Sequence, residues 1–591
     1  MAQPIAPVVT EGRAPAAPVV TTPSPRWVEF ILLCAVGAVT FGVMRAAAEW
    51  RAPLSPGFRI SLSPLRLPYY AALSTLRMVL AYIVSLVFSV AYARFAASSK
   101  AAERVMLPLL DILQSIPILS FMPGVVLGLV ALFPGRTLGL ELAAVILIFT
   151  SQAWNLAFSF HQSLITIPSE LTEAARIYRL GFWRKFTRLE LPFGVISLIA
   201  NSMMSWAGGW FFLMASEQFA VGDGRLRLPG LGSYLAAAAD AGNTRALVYG
   251  LFTLVVVIVL LDQILWRPLL AWSDRFKFES ASSDAPTSRL LDALRGSRLV
   301  DALRSRVLRP AARRIDHALG SSRNGDTPAT ADADAPPAPA RRRRRRAAGI
   351  LVLVLAGAAV VWGVVLAVHT LGGLTESDWG RVGVSAAATL ARTTIALVIA
   401  AAWTIPAGVA IGTNPRWARR LQPIVQITAS IPATAVFPVL LLTLLAIPGG
   451  LNVAAVALML LGTQWYVLFN VIAGAMAIPS DLKEAATMYH VVGWRRWKTL
   501  ILPAIFPYLV TGMITATGGA WNASIVAEYV TFAGHTASTT GLGALIAGAA
   551  ERGDFPVLLA GTLVMAGIVI VLNRLLWRRL YGYAETRFRL G

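Results

Sequence analysis

The sequence predicts an all-α polytopic membrane protein with about 12 transmembrane helices, arranged as two homologous six-helix halves. First, 56% of its 591 residues are hydrophobic, 14% are charged and the mean hydropathy is +0.65, which excludes a soluble protein. Second, about twelve apolar stretches reach or approach the roughly 20 residues needed to cross a bilayer core. Third, these stretches form two groups of six that repeat each other along the chain.

The predicted spans follow the same order in both groups. The first group covers 27–46, 70–95, 105–132, 138–162, 192–216 and 245–272, and the second covers 347–370, 384–412, 422–447, 451–477, 503–527 and 555–577. The third span of each group is interrupted by proline, at Pro117 and Pro123 and again at Pro432 and Pro438. A transmembrane helix tolerates proline where neighbouring helices satisfy the freed backbone groups, so we expect both spans inside the bundle.

An internal repeat links the two groups. Residues 167–175 match residues 478–486, a spacing of 311 positions that extends to the tryptophan pair Trp266 and Trp577 and includes the acidic pair Glu217 and Glu528. Upstream, residues 115–117 match residues 430–432 at a spacing of 315. Because an even number of spans separates equivalent points, both halves should have the same orientation in the membrane.

The remaining segments divide the chain into four parts. We predict a disordered cytoplasmic tail at 1–26, a first half at 27–272, a basic cytoplasmic linker at 273–346 and a second half at 347–591. Arginine and lysine concentrate in alternate loops, which predicts that both termini are cytoplasmic. The net charge of +22 follows this distribution, so we expect no nucleic acid partner. The six arginines at 341–346 should instead contact anionic lipid headgroups, at about 1 kcal/mol per residue.

A polar segment with helical spacing lies between the fourth and fifth spans of each half. It runs from Glu173-Ala-Ala to Leu191-Pro192 in the first half and from Glu484-Ala-Ala to Leu502-Pro503 in the second. Both copies resemble the EAA loop of binding-protein-dependent ABC importer permeases of the MetI-like type. The resemblance implies a short coupling helix, at about 169–190 and about 480–501, that docks into a cleft of an ATP-binding subunit.

The residues that the resemblance assigns to ATPase coupling suit a docked helix. Alanines allow close approach, the helix macrodipole favours an acid near a helix start, and aromatic side chains are common interface anchors. These residues are Glu173, Ala174, Ala175, Tyr178, Gly181, Trp183, Glu484, Ala485, Ala486, Tyr489, Gly493 and Trp494. The family usually has a glycine six residues after the glutamate, where this chain has Arg179 and His490, so we expect a displaced turn between the short helices.

The resemblance implies the permease subunit of an ATP-driven importer in a bacterial cytoplasmic membrane. The chain has no Gly-x4-Gly-Lys-Ser/Thr phosphate loop, so we expect no enzyme activity, no cofactor in this chain, and ATP and Mg²⁺ bound by two partner ATPase subunits. An extracytoplasmic binding protein would deliver the substrate. The Gly-Leu-Gly motifs at 230–232 and 541–543 resemble the nitrate, sulfonate and taurine branch, which implies a small anionic solute.

Polar residues inside spans are costly and often functional, so they are candidates for the translocation pathway or its gate. They are Gln114, Ser115, Asn201, Ser205, Trp206, Trp210, Glu217, Ser430, Trp521, Asn522 and Glu528. For serine and asparagine the alternative is hydrogen bonding between helices, and for tryptophan it is packing. The two glutamates could gate the pathway, contact the binding protein or cap a loop.

Two other protein classes compete with this interpretation. A secondary active transporter built from parallel repeats would need ion-coupling carboxylates inside its spans, where the sequence has little beyond Asp111, Asp262 and the paired glutamates. An intramembrane enzyme would need a nucleophile with a base, or a metal cluster. The sequence suggests neither, and no metal site is expected.

Overall fold

The computed structural model describes residues 60–221, 224–273, 361–444, 447–532 and 535–587, with a few isolated positions from 276 to 358. The predicted tail, the span 27–46, nearly all of the linker and much of the first part of the span 347–370, before residue 361, therefore lie outside the described residues. Eight helices in the described part are long and apolar enough to cross a membrane. The predicted class, an all-α polytopic membrane protein with two similar halves, is confirmed.

The first half contains ten helices and one hairpin among its described residues. They are α1 (Leu67–Ala96), α2 (Lys100–Ser115), α3 (Ile118–Leu132), α4 (Leu138–Ile165), α5 (Ser169–Ile177), α6 (Phe182–Lys185), α7 (Leu191–Ser216), β1 (Gln218–Val221), β2 (Gly224–Arg227), α8 (Leu231–Asp240), α9 (Thr244–Leu261) and α10 (Arg267–Ser273). A π-helical turn at Phe186–Glu190 joins α6 to α7, and another at Asp262–Trp266 joins α9 to α10.

The second half repeats this order. Its described elements are α11 (Val361–Leu371), α12 (Glu376–Thr413), α13 (Pro415–Ser430), α14 (Ala433–Leu444), α15 (Gly450–Met476), α16 (Ser480–Met488), α17 (Gly493–Arg496), α18 (Leu502–Glu528), β3 (Tyr529–Phe532), β4 (His535–Ser538), α19 (Leu542–Arg552), α20 (Phe555–Leu572) and α21 (Arg578–Arg587). π-helical turns at Trp497–Ile501 and Asn573–Trp577 occupy the equivalent positions. The two halves therefore share local irregularities as well as helix order.

Capping residues fix helix starts at equivalent positions of the repeat. The Ser99 hydroxyl accepts a hydrogen bond from the Ala102 N–H at the start of α2, and its counterpart Asn414 caps α13. Asn243 caps α9 through the Ala246 N–H, and its counterpart Asp554 caps α20. Such side chains satisfy backbone N–H groups that have no partner within the helix, so these four residues mark where α2, α13, α9 and α20 begin.

The third predicted span of each half, which the sequence shows to be interrupted by prolines, is broken into two helices. The first half breaks between α2 and α3, and the second bends by 75° between α13 and α14. Pro117 and Pro432 lie at the breaks, because a proline has no N–H to donate and the residue before it avoids the helical region. The buried face of α3, with Ile118, Leu119 and Ser120, lies inside the bundle as expected, whereas α13, before the break, buries only Ala418.

The halves meet along these broken helices. Helix α3 packs against α18, α19 and α20 of the second half, and α14 packs reciprocally against α7, α8 and α9 of the first. Two hydrogen bonds cross this contact: the Leu119 N–H donates to Asn522 Oδ1 at 3.3 Å, and Thr562 Oγ1 donates to the Ser120 carbonyl at 3.1 Å. We call this contact between the halves the seam.

A two-stranded hairpin follows the fifth span of each half, and the sequence did not predict it. Strand β1 pairs antiparallel with β2, and β3 with β4. Strand β1 contacts α19 of the second half, and β3 contacts α8 of the first. The hairpins therefore lie across the seam at one end of the bundle. We call this the hairpin end, and the opposite end, with α5 and α16, the coupling end.

Candidate functional site

The two candidate coupling segments have the same layout. In each, a nine-residue helix follows an Ile-Pro dipeptide and has an acid, Glu170 or Asp481, in its first turn, where the helix dipole favours a negative charge. A second short helix then continues into the fifth span. The first helix ends in a pair of exposed apolar residues: Ile177 and Tyr178 are each 78% exposed, and Met488 and Tyr489 are 79% and 81% exposed.

The turn between the two short helices stays at Arg179 and His490, so the predicted displacement is wrong. Arg179 has φ of 47° and His490 has φ of 50°, in the left-handed region that glycine adopts most easily. The Leu180 N–H reaches back to the Ala175 carbonyl at 3.0 Å, and the Arg179 N–H to the Arg176 carbonyl at 2.9 Å. These are the two hydrogen bonds of a Schellman cap, and they hold the turn in place without glycine.

The remaining candidate coupling residues differ in exposure. Glu173 and Glu484 are exposed, whereas Ala175 is buried and the other three alanines are partly buried. Trp183 is partly buried and stacks on Phe186 at 5.6 Å between ring centroids, whereas Trp494 is 74% exposed. The two segments therefore share a backbone but present different surfaces.

Arg94 attaches the first coupling segment to the end of α1. Its Nε lies 2.8 Å from Glu190 Oε2, and its guanidinium carbon lies 3.9 Å from the centroid of the Phe182 ring. Lys185 Nζ also lies 3.5 Å from Glu190 Oε1. Arginine binds both carboxylates and aromatic faces well because its charge is spread over a planar group. We call Arg94, Phe182 and Glu190 the Arg94 clamp.

The second coupling segment is attached by apolar contacts alone at the same place. The residues equivalent to Arg94 and Glu190 are Val409 and Ile501. Both are buried in one apolar cluster with Val467 and Ile505. An ion pair in one half therefore replaces a hydrophobic contact in the other.

At the hairpin end, Glu217 is fully buried at the centre of a hydrogen-bond network. Its carboxylate accepts from Ser74 Oγ at 2.5 Å, from Arg77 Nη1 at 2.9 Å and from the Gly232 N–H at 2.6 Å. Arg77 also binds Glu141 through Nε at 2.6 Å and Nη2 at 2.7 Å. One guanidinium thus faces two carboxylates, and the network joins α1, α4, α7 and α8.

Glu528 has an equivalent network in the second half. It accepts from Thr389 Oγ1 at 2.8 Å, from Arg392 Nη1 at 2.7 Å and from the Gly543 N–H at 2.8 Å. The counterpart of Glu141 is Asn452, whose Oδ1 accepts from Arg392 Nη2 at 2.8 Å. In this structure each glutamate carboxylate is buried and bound by protein groups. Each therefore attaches the hairpin that follows it to the helix bundle.

The first glycine of each Gly-Leu-Gly motif lies directly against a buried glutamate, where a side chain would not fit. A Cβ on Gly230 would overlap the Glu217 carboxylate, and one on Gly541 would overlap the Glu528 carboxylate. Sequence reasoning identified the two acids but missed Ser74, Arg77, Glu141, Thr389 and Arg392. The available signal was Arg77 and Arg392, two arginines inside apolar spans at the repeat spacing of 315, because a charge in such a position needs a partner.

Several pathway candidates meet at the seam around Gln426. A cavity of about 80 Å³ is lined by Gln426, Tyr466 and Asn522. A smaller cavity beside it is lined by Trp206, Trp210, Ser430 and again Gln426. The sequence did not single out Gln426 or Tyr466, which lie in α13 and α15. The seam therefore brings polar groups of the second half against tryptophans of the first.

The other pathway candidates lie elsewhere. Asn201 Nδ2 donates to Ser159 Oγ at 2.8 Å, and Asn155 Nδ2 donates to Ser205 Oγ at 2.9 Å; both bonds join α4 to α7, as expected for hydrogen bonds between helices. Trp521 is fully buried in an apolar cluster that also contains Leu119 and Ala215 of the first half. Gln114 is exposed. The side chain of Ser115 lies outside the described residues.

Comparison with known proteins agrees with this geometry. The family of binding-protein-dependent transport system inner membrane components matches the chain twice, at residues 85–265 and 404–590. The chain belongs to this family. Each match contains one complete coupling segment and one of the two buried glutamates. The chain is thus a transport permease with two copies of the domain, and it is a multi-pass integral membrane protein.

Three relatives of this permease are named after transported compounds: nitrate, taurine and bicarbonate. It is 27% identical over 201 residues to the nitrate import permease protein NrtB of Leptolyngbya laminosa, covering 34% of this chain and 67% of the relative. It is 30% identical over 200 residues to the taurine transport system permease protein TauC of Escherichia coli K12, covering 33% and 68%. The bicarbonate transport system permease protein CmpB of Synechocystis is 29% identical over 143 residues, covering 24% and 50%.

Membership in this family decides against the two competing interpretations, a secondary transporter and an intramembrane enzyme. The duplicated coupling segment, which a secondary transporter would leave unexplained, is part of the matched region in both halves. The family consists of transport components that work with a binding protein, so the permease is a transporter component rather than an intramembrane enzyme.

Replacing Arg179 or His490 with glycine should make the coupling segments of this permease more stable locally. A side chain in the left-handed region costs roughly 1–2 kcal/mol, so Arg179→Gly should slow hydrogen exchange of the amides at 174–180 by up to about tenfold. Arg179→Val should accelerate it, because a β-branched residue tolerates positive φ poorly. Equal exchange rates in the three proteins would show that the turn is not left-handed.

Proposed function

We propose that this chain forms the complete translocation pathway of an ABC importer for a small anionic solute. The observation that carries the proposal is the pair of coupling segments at the same end of the bundle. In each, the first short helix ends in two exposed apolar residues, Ile177 and Tyr178 or Met488 and Tyr489, which we call the tip. Exposed apolar patches of this kind mark protein contacts. A single chain with two such segments would take the place of a permease dimer.

Two ABC ATPase subunits would each receive one coupling segment, and they would bind the ATP and Mg²⁺. An extracytoplasmic binding protein would deliver the solute at the hairpin end. This arrangement places the coupling end in the cytoplasm of a bacterial cell and the permease in its cytoplasmic membrane, with both termini cytoplasmic, in agreement with the arginine and lysine distribution.

The long fifth spans supply a direct mechanical connection between the two ends. The continuous helix Phe182–Ser216 has 35 residues and its counterpart Gly493–Glu528 has 36, a length of about 52 Å. Each begins in a coupling segment, lines the seam and ends at a buried glutamate that holds the hairpin. Closure of the ATPases would move the coupling segments, and these helices would carry the movement to the seam and hairpins as a two-state change.

An anionic solute agrees with the lining of the larger of the two cavities around Gln426, whereas the smaller one includes Asp262. The 80 Å³ cavity is lined by neutral polar groups of Gln426, Tyr466 and Asn522 together with apolar and aromatic side chains. No carboxylate is among the described residues that line it. The relatives named above carry nitrate, taurine or bicarbonate in their names, and this shared preference for small oxyanions supports the same substrate class here.

The variant Glu173→Lys/Glu484→Lys tests the coupling role. Both glutamates are exposed near the tips, so reversing their charge should reduce co-purification of the ATPase and substrate-stimulated ATP hydrolysis by at least about tenfold, whereas the membrane fold should persist. Glu376→Lys is the control, because this exposed acid begins α12 at the hairpin end. Full ATPase recovery and hydrolysis with the double variant would refute the assignment.

A further inference from the structure

Two equivalent arginines at the hairpin end bind different groups. In the first half, Nε and Nη2 of Arg77 each meet a separate oxygen of the Glu141 carboxylate, at 2.6 and 2.7 Å. In the second half, Nε and Nη2 of Arg392 both point to the single amide oxygen of Asn452, at 3.2 and 2.8 Å. The second half therefore has the same guanidinium fork but lacks the carboxylate that fits it.

The fork of the second half is also more accessible. The side chains of Arg77 and Glu141 are 2% and 3% exposed, whereas Arg392 is 12% exposed and Asn452 is exposed. Arg392 Nη2 donates to Thr539 Oγ1 at 2.9 Å. The residue equivalent to Thr539 is Leu228, which is buried. The first half thus has an apolar side chain at the position where the second half has the Thr539 hydroxyl group.

The charges of the two networks differ by one unit. The first network combines one guanidinium with two carboxylates, Glu141 and Glu217. The second combines one guanidinium with Glu528 alone. One external anion bound at Arg392 would give the second network the same charges as the first, namely one guanidinium and two anionic groups. The first network holds these charges while fully buried. The planar fork of arginine matches carboxylate-like oxyanions, which it binds through two parallel hydrogen bonds.

We propose that Arg392, Asn452 and Thr539 form a binding site for a small oxyanion at the hairpin end. The anion takes the place that the Glu141 carboxylate has in the first half, and the Asn452 side chain rotates aside to admit it. Thr539 Oγ1, which donates to Asn452 Oδ1 at 2.6 Å in this structure, then donates to the anion. A free solute anion and the phosphate of a lipid headgroup share this chemistry.

Nitrate binding to the purified full chain tests the site. The chain is held in neutral, lipid-free detergent, and its thermal unfolding midpoint is recorded against sodium nitrate at constant ionic strength set with sodium chloride. We expect a saturable rise, because a ligand that binds only the folded state stabilises it. The variant Asn452→Glu should weaken nitrate binding by at least about tenfold, since it places the carboxylate of the first half in the fork, where the fold already accommodates it.

Thr540→Glu is the matched control. This exposed residue lies beside the site, so its new carboxylate changes the local charge without filling the fork, and nitrate binding should weaken by less than about threefold. Equal nitrate binding by the wild type and Asn452→Glu would overturn the proposal. A loss of binding that is as large for Thr540→Glu as for Asn452→Glu would also overturn it, because general charge repulsion would then explain both.

A second arm identifies the source of the anion. The same titration is made in phosphatidylcholine nanodiscs with and without phosphatidylglycerol. Nitrate binding that phosphatidylglycerol leaves unchanged supports a free solute anion, and stabilisation by phosphatidylglycerol that Asn452→Glu removes supports a headgroup. No Asn452-dependent response to either probe overturns the site. Because the chain is measured without any ATPase, the result does not depend on the proposed coupling function.

Discussion

Arg77→Leu should destabilise the protein considerably more than Arg392→Leu. Removing Arg77 leaves Glu141 and Glu217 buried without a counter-charge, whereas removing Arg392 leaves only Glu528. Breaking a buried ion pair by removing one partner costs about 3–5 kcal/mol. We expect Arg392→Leu to fall within that range, and Arg77→Leu, which leaves two such acids, to exceed it, with little folded protein recovered. Thermal unfolding in detergent and the yield of monodisperse protein measure the difference.

The double variant Arg77→Leu/Glu141→Leu is the matched control for this result. It removes the guanidinium together with one of its two carboxylates, so the remaining network resembles Arg392→Leu in having a single buried acid. Its unfolding midpoint should lie closer to that of Arg392→Leu than to that of Arg77→Leu. If Arg392→Leu were as destabilising as Arg77→Leu, the unequal charge of the two networks would not control their stability.

Arg94→Leu should impair the coupling of the first half and leave the bundle folded. The variant removes the ion pair to Glu190 and the contact with the Phe182 ring, interactions worth on the order of 1 kcal/mol. The first coupling segment should then be held less firmly, and substrate-stimulated ATP hydrolysis by the assembled importer should fall up to about fivefold. Hydrogen exchange at 182–190 should rise in parallel.

The second half supplies the rescue variant. Arg94→Val/Glu190→Ile gives the first half the residue pair that attaches the second coupling segment, Val409 and Ile501. We expect this double variant to recover most of the hydrolysis that Arg94→Leu loses. Hydrolysis that stays low in the rescue, with normal hydrogen exchange at 182–190, would mean that Arg94 acts on the ATPase itself and not as a clamp.

Features that are local in sequence could be predicted here. Span length and hydrophobicity identified the bundle, and the repeat spacing aligned the two halves, because both depend only on residues close in the chain or on direct comparison of segments. The prolines Pro117 and Pro432 placed the third spans inside the bundle. Their consequence, a break rather than a continuous helix, depends on how far the neighbouring half can replace the missing backbone hydrogen bonds, which composition does not reveal.

The missed features all involve partners distant in the sequence or conformations held by their surroundings. The bond from Arg77 to Glu217 joins residues 140 positions apart, so the acid could be identified but its partner could not. The hairpins consist of four-residue strands, too short for a clear alternating pattern. At the Arg179 turn the sequence led to a wrong prediction. The absence of glycine suggested a displaced turn, but the two hydrogen bonds of the Schellman cap outweigh the cost of the positive φ.

Site-specific photo-crosslinking shows whether an ATPase subunit docks on the coupling segments. A benzoylphenylalanine residue replaces Tyr178 or Tyr489, which are 78% and 81% exposed, and in a third protein it replaces Trp379, an exposed aromatic residue at the hairpin end. Irradiated membranes should yield an adduct with a phosphate-loop ATPase from positions 178 and 489 and none from 379. If neither tip gives that adduct, or if position 379 gives it equally, the coupling segments are not the docking sites of the ATPase.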